Sequence, residues 1–333
     1  MNNTDSTSIN KRIEYLDVAK FVGLVLVCFC HIPFPEGNFH VWVYSFHMPL
    51  FFLVSGIFFS VDKFAIGKAA IQLLVPFLFF NLIACVISIC IGFLTSGELK
   101  VMGAGIDFLL KSHYVIGPSW FLVSLFIIRI YCGIIIKYFG DIWLIVSAVI
   151  ILTLLYYTHE NEAWDVASLG SSVLGLPFYM IGMYGKRVFL NETLIGKWWV
   201  PLVSLALSIP AIYNGQVGIH AISYGMNIFL YFVFGLSGTV LLVSLSRHIK
   251  ISRSIIIVFM DGALFFICMH TLIFEYSILI WNKLTGDFSG NTLIEKIVFT
   301  ALTFIMSYPI ILLMLNKTPF LLGKTNRKNV TDK

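Results

Sequence analysis

Runs of about twenty apolar residues recur along this chain from Leu16 to Leu315. Each is long enough to cross the roughly 30 Å hydrocarbon core of a bilayer at about 1.5 Å per residue. In lipid every backbone amide must find its partner within the protein, and for runs of this length the spanning element is a helix. Hydrophobic residues make up 59% of the sequence and charged residues 12%, about half the charge of a soluble domain. The sequence therefore predicts an all-α polytopic membrane protein of about ten spans. They fall at about 16–33, 42–61, 69–94, 119–138, 142–157, 169–185, 198–213, 222–246, 254–281 and 296–315. One integral-membrane domain covers residues 1–333, with tails of about 1–15 and 316–333 and no further soluble domain.

Orientation follows from Lys and Arg, which concentrate on the cytoplasmic side. Of the 22 such residues, all but Lys100, Lys111, Lys283 and Lys296 fall on the side of the N-terminus. Both termini are thus expected in the cytoplasm of a multi-pass protein of the cell (inner) membrane. The first ten residues are polar, and no small-residue cleavage site follows the first span, so no cleavable signal is expected. All six cysteines lie in apolar runs, where they behave as small hydrophobes rather than a disulfide framework. On the outer side, the loop from Thr158 to Ser168 is acidic. The loop from Thr95 to Pro118 carries Gly97, Gly103 and Gly105 and is long enough to fold over a pocket. Asn2 begins a glycosylation sequon that is silent on the cytoplasmic side.

The first span breaks the apolar pattern with Asp17, Lys20 and His31. Eleven residues bring Lys20 and His31 to within about 20° of the same helical face, with His31 roughly 16 Å deeper. Ionisable groups inside a bilayer are costly and mark substrate or proton paths. A histidine withdrawn from water favours its uncharged form, which accepts a proton and suits a general base. A packing hydrogen bond between helices is the alternative for His31, and a snorkelling surface pair is the alternative for Asp17 with Lys20. His47 begins the second span from the outer side, at about the depth of His31, so the two can meet across a pocket. Pro49 suits a first helical turn, and Ser55-Gly56 suits close helix approach, with Ser55 as a nucleophile the lesser alternative. Trp120 opens the fourth span at the interface, Arg129 lies within it, and His270 is buried in the ninth with Glu275 five residues on. Cys28, Cys30 and His31 do not form a metal site, because residues two apart on a helix diverge by about 200°. No phosphate loop and no Gly-x-Gly-x-x-Gly fingerprint is present.

Arg12, Asp17, Lys20 and His31, followed by Phe46-His47-Met48-Pro49-Leu50-Phe51-Phe52-Leu53-Val54-Ser55-Gly56, resemble the motifs of the integral-membrane acyltransferase 3 family, and most of all its fucose 4-O-acetylase-like branch. Gly117-Pro118-Ser119-Trp120-Phe121-Leu122 and the late His270 also recur there. The resemblance implies transfer of an acyl group, usually acetyl, from cytoplasmic acyl-CoA to a hydroxyl of a surface or lipid-linked carbohydrate. It places the family's basic-x10-His motif on Lys20 and His31, where the basic position is more often Arg. The basic cluster after the second span is reduced to Lys63 and Lys68, followed by Gln72 and Pro76. The expected catalytic set is His31, Asp17 and His47. Arg12, Lys20, Ser55, Lys68, Trp120, Arg129 and His270 are the expected substrate-binding residues. No bound cofactor, metal or nucleic-acid partner is implied; acetyl-CoA or another acyl-CoA is the donor substrate, and membrane lipid surrounds the chain. The alternative from another class is a transporter or flippase that uses the buried His and Arg residues for ion coupling, a class expected to show internal repeats and interrupted spans.

Overall fold

The computed structural model describes residues 12–33, 37–96, 117–286 and 292–324. Most of the loop from Thr95 to Pro118 expected on the outer side, the Asn2 sequon and the tail beyond Lys324 lie outside the described residues. The described residues form α1 (Glu14–His31), α2 (Asn38–Ile57), α3 (Ile66–Ser96), α4 (Trp120–Phe139), α5 (Asp141–Thr158) and α6 (Leu169–Tyr184). Then come the short α7 (Lys186–Phe189) and α8 (Glu192–Ile195), α9 (Trp199–Ser208), α10 (Ile228–Leu245), α11 (Arg253–Asp261), α12 (Ala263–Thr285) and α13 (Leu293–Lys317). The chain is an all-α polytopic membrane protein. Eight described helices are long and apolar enough to cross a membrane. Two expected spans differ from these: α1 carries Glu14, Asp17 and Lys20 within its eighteen residues, and the apolar helix Trp199–Tyr213 is shorter.

Helix α2 is the centre of the bundle, packed between α1, α6 and α10. It meets α6 backbone to backbone. A Cβ on Gly56 would collide with the Tyr179 carbonyl, and one on Gly182 of α6 would collide with the Leu53 carbonyl. The two glycines thus form a reciprocal contact of the small-residue type that brings membrane helices together. Helix α2 starts at Asn38, a full turn before the expected position. Pro49 sits in its interior and not in its first turn. A proline there cannot bond the carbonyl four residues back, and that carbonyl, of Ser45, faces Gly235 of α10.

Two expected spans are broken. The segment expected at 254–281 divides at Gly262 into α11 and α12. Immediately before the break the Asp261 carboxylate takes Lys324 at 2.6 Å and Arg12 at 3.1 Å. A charged group with two cationic partners is stable at the end of a bundle and not within an apolar span. The segment expected at 222–246 becomes helical only at Ile228. Before it, Val217–Gly218 pairs with Ser223–Tyr224 as a small antiparallel hairpin. The side-chain amide of Asn214 donates to the Tyr224 carbonyl at 2.9 Å, and its Oδ1 accepts from the Asn227 backbone at 2.9 Å. Ile222 is held in the left-handed region at φ 54° and packs where Gly170 leaves room on α6.

Candidate active site

A cavity of about 590 Å³ opens at the end of the bundle opposite the described termini. Helix α1 delivers His31 to it as its last residue. Helix α2 contributes Tyr44 and His47, one turn apart on the same face. Trp120 at the start of α4 and His220 on the hairpin segment form a stacked pair on its wall, with centroids 5.8 Å apart at 17°. Helix α12 adds Thr271 and Glu275.

His31, His47 and His270 converge here. Ring centroids of His31 lie 6.5 Å from those of His47 and 5.2 Å from those of His270. His31 and His47 line the cavity, whereas His270 is fully buried behind His31 and stacked on Phe266 at 5.6 Å and 11°. Each imidazole is tethered to its own helix. Nδ1 lies 2.7 Å from the Val27 carbonyl in His31, 3.0 Å from Val43 in His47, and 2.9 Å from Phe266 in His270. A carbonyl oxygen only accepts, so in all three rings Nδ1 carries the proton and the lone pair of the uncharged imidazole is on Nε2. Among the described residues, Nε2 of His270 has no hydrogen-bond partner. The tether is local, from each histidine to a residue four earlier in the same helix.

The other end of α1 carries a chain of ion pairs. Asp17 bridges Lys20 at 2.7 Å and Arg12 at 2.8 Å, and Arg12 continues to Asp261 and so to Lys324. Three cations thus share two carboxylates, and the described beginning and end of the chain meet on one side chain. Asp17 and Lys20 are fourteen and eleven residues from His31 along α1, about 21 and 16 Å at the helical rise, so neither contacts it. Burial pushes the Asp261 carboxyl upward, but Lys324 and Arg12 outweigh this and hold it below its ordinary value.

The remaining expected site residues are dispersed. Arg129 donates to Gln72 Oε1 at 3.2 Å and faces the buried phenol of Tyr179. Lys68 is exposed at the start of α3. Ser55 is half-buried beside Gly56 and does not line the cavity. His220, Tyr44 and Thr271 line it without having been singled out from sequence. Between the ion cluster and the histidines runs a column of aromatic rings: Phe21 on Phe259 at 5.5 Å, Phe259 on Phe304 at 4.9 Å, and Phe304 on Phe266 at 4.3 Å.

A family model described as an acyltransferase domain, that of acyltransferase 3, matches residues 13–315. The chain belongs to this family. Its match takes in Asp17, Lys20 and Asp261 of the ion cluster and all three histidines, while Arg12 and Lys324 lie just outside it. No curated protein and no solved structure matches the chain. As a member of the acyltransferase 3 family with many membrane-length apolar helices, it is a multi-pass membrane acyltransferase.

Proposed function

We propose that this acyltransferase moves an acetyl or other acyl group from cytoplasmic acyl-CoA to a hydroxyl of a surface or lipid-linked carbohydrate in the cell membrane, with His31 as general base. The observation that carries this reading is the tether of His31. Its Nδ1–H is held by Val27 at 2.7 Å and it lines the cavity, so Nε2 is the atom left to accept a proton there. A thioester is an activated donor but a sugar hydroxyl is a weak nucleophile at neutral pH. As the hydroxyl oxygen attacks the thioester carbonyl, its proton passes to Nε2 of His31. When the tetrahedral intermediate collapses, the C–S bond breaks, and the departing CoA sulfur takes that proton. General-base assistance of this kind contributes about 10²–10⁴ in rate.

Around this centre the other residues take supporting roles. His47, with Nε2 also free of its proton, accepts a hydrogen bond from a neighbouring hydroxyl of the acceptor. The stacked faces of Trp120 and His220 offer an apolar wall for a sugar ring, and Glu275 accepts from its hydroxyls. His270 behind His31 is a positioning residue. At the cytoplasmic end Arg12, Lys20 and Lys324 exceed their two carboxylates and attract the CoA phosphates, with Lys68 and Arg129 adding to the field. Asp17 orients Arg12 and Lys20.

The test is His31→Ala in the native host, with the O-acetyl content of surface and lipid-linked glycans measured by mass spectrometry. Loss of O-acetyl groups at normal protein level is expected. Unchanged content at normal protein level overturns the assignment.

A further inference from the structure

A second hollow, of about 510 Å³, runs along the flank of the bundle between α3, α12 and α13. Its lining is almost wholly hydrocarbon and thioether, and the side chains come in helical order. On α12 they are Phe265, Met269, Ile273 and Ser277, a row at intervals of four that forms one stripe of the helix. The adjoining stripe of α12, with Ile267, Thr271 and Glu275, faces the histidine cavity. Leu272 and Tyr276 stand on the edge between the two stripes and line both hollows. Helix α12 is therefore a partition, and Leu272 and Tyr276 at its edge stand between the two adjacent spaces. The flank opens sideways at Met306 and Ile310 of α13, both exposed on the membrane-facing surface.

We infer that this groove holds the hydrocarbon chain of a lipid whose sugar head occupies the histidine cavity, so that the acceptor is a lipid-borne carbohydrate. The inference rests on the carbohydrate-acceptor reading above and narrows it. From Phe265 to Ser277 the groove is about 18 Å long by helical rise, a little more than one leaflet of a roughly 30 Å hydrocarbon core. A chain lying there with its head at Tyr276 has the polarity of a lipid in the leaflet on the histidine side. The lining also suits a flexible chain: three of the ten methionines, Met269, Met306 and Met314, face it, and thioether side chains adapt to varied apolar shapes. A pantetheine arm, with its amides, would find few hydrogen-bond partners on these walls. A bulk lipid bound elsewhere on the bundle would not share two wall residues with the reaction chamber.

The experiment uses membranes of cells that naturally make the protein, incubated with [14C]acetyl-CoA and then extracted with chloroform–methanol. Protein-dependent label is expected in the extractable lipid fraction. Ile273→Trp and, separately, Met306→Trp, which fill the groove from opposite walls, are expected to lower that label by about tenfold or more, the effect of withdrawing a few methylenes of contact. Binding of acetyl-CoA by the purified variants should stay within about twofold of the parent, which also shows that they are folded. Label confined to non-extractable polysaccharide overturns the lipid-borne acceptor and leaves the transferase reading standing. Extractable label undiminished in both variants overturns the groove. No protein-dependent label in any fraction overturns the transferase reading on which the inference rests.

Discussion

The rings of His31 and His270 meet edge to face with centroids 5.2 Å apart, one at the last residue of α1 and the other deep in α12. The contact sets a partly buried imidazole that lines the cavity directly on one with no access to it. Nε2 of His270 is buried without a partner among the described residues. A buried polar atom left unsatisfied costs about 1–3 kcal/mol. Such an atom is retained where function needs it, at the expense of stability.

His270→Phe is therefore expected to stabilise the fold by about 1 kcal/mol in thermal unfolding of the detergent-solubilised protein, while lowering acyl transfer. The phenyl ring keeps the stack on Phe266 and removes the orphaned nitrogen. A variant both less stable and fully active would contradict the positioning role.

Gly56→Ala and Gly182→Ala should each destabilise by about 1–3 kcal/mol, the usual cost of overpacking, because a methyl group at either site meets a helix carbonyl that has no room to move. Gly67→Ala is the control, since nothing lies within 4 Å of its added carbon. Melting temperature and yield of folded protein in detergent report the difference.

Stability should also respond to acid through Asp261. Its folded carboxyl titrates below its ordinary value of 3.8, because Lys324 and Arg12 outweigh the upward push of burial. A depressed carboxyl contributes stability that is complete above the unfolded value and is lost as pH falls through the lower folded value. Asp261→Asn should be less stable than the parent at pH 7, and the gap should close as pH is lowered below 3.8. A gap independent of pH in thermal melts would contradict the ion-pair account.

Trp120→Ala is expected to raise the acceptor KM by about five- to tenfold with the acyl-CoA KM unchanged, as removal of a stacking wall worth about 1 kcal/mol requires. Initial rates against each substrate separate the two. A rise in the donor KM instead would move Trp120 to the donor path.

Much of this was written in the sequence, for physical reasons. A span must be continuous and apolar, so the long helices can be read off directly, and the facing of His31 and His47 follows from two depths on a helical hairpin. Departures arise where side chains from distant segments decide. Asp261 lies within an apolar run, and only its pairing with Arg12 and Lys324 shows why the helix stops there. The hairpin carrying His220 was hidden in the apparent start of a span. Its signal was the polar stretch of Asn214, Gln216 and Asn227 with Gly215, Gly218 and Gly225 between them. Helix α2 begins at Asn38 in a turn poor in strong helix formers, Asn38 to Val41, so its start is hard to read from sequence and Pro49, eleven residues on, lies in its interior.

If His31 is the base for acyl transfer to a carbohydrate, its loss must slow the transfer without weakening the hold on the donor. The most direct measurement is acetyl transfer from [14C]acetyl-CoA to glycan by His31→Ala and parent protein in the same native membranes, at matched protein level. A loss of at least about 10²-fold is expected, with acetyl-CoA binding retained. Transfer by the variant at the parent rate would contradict it.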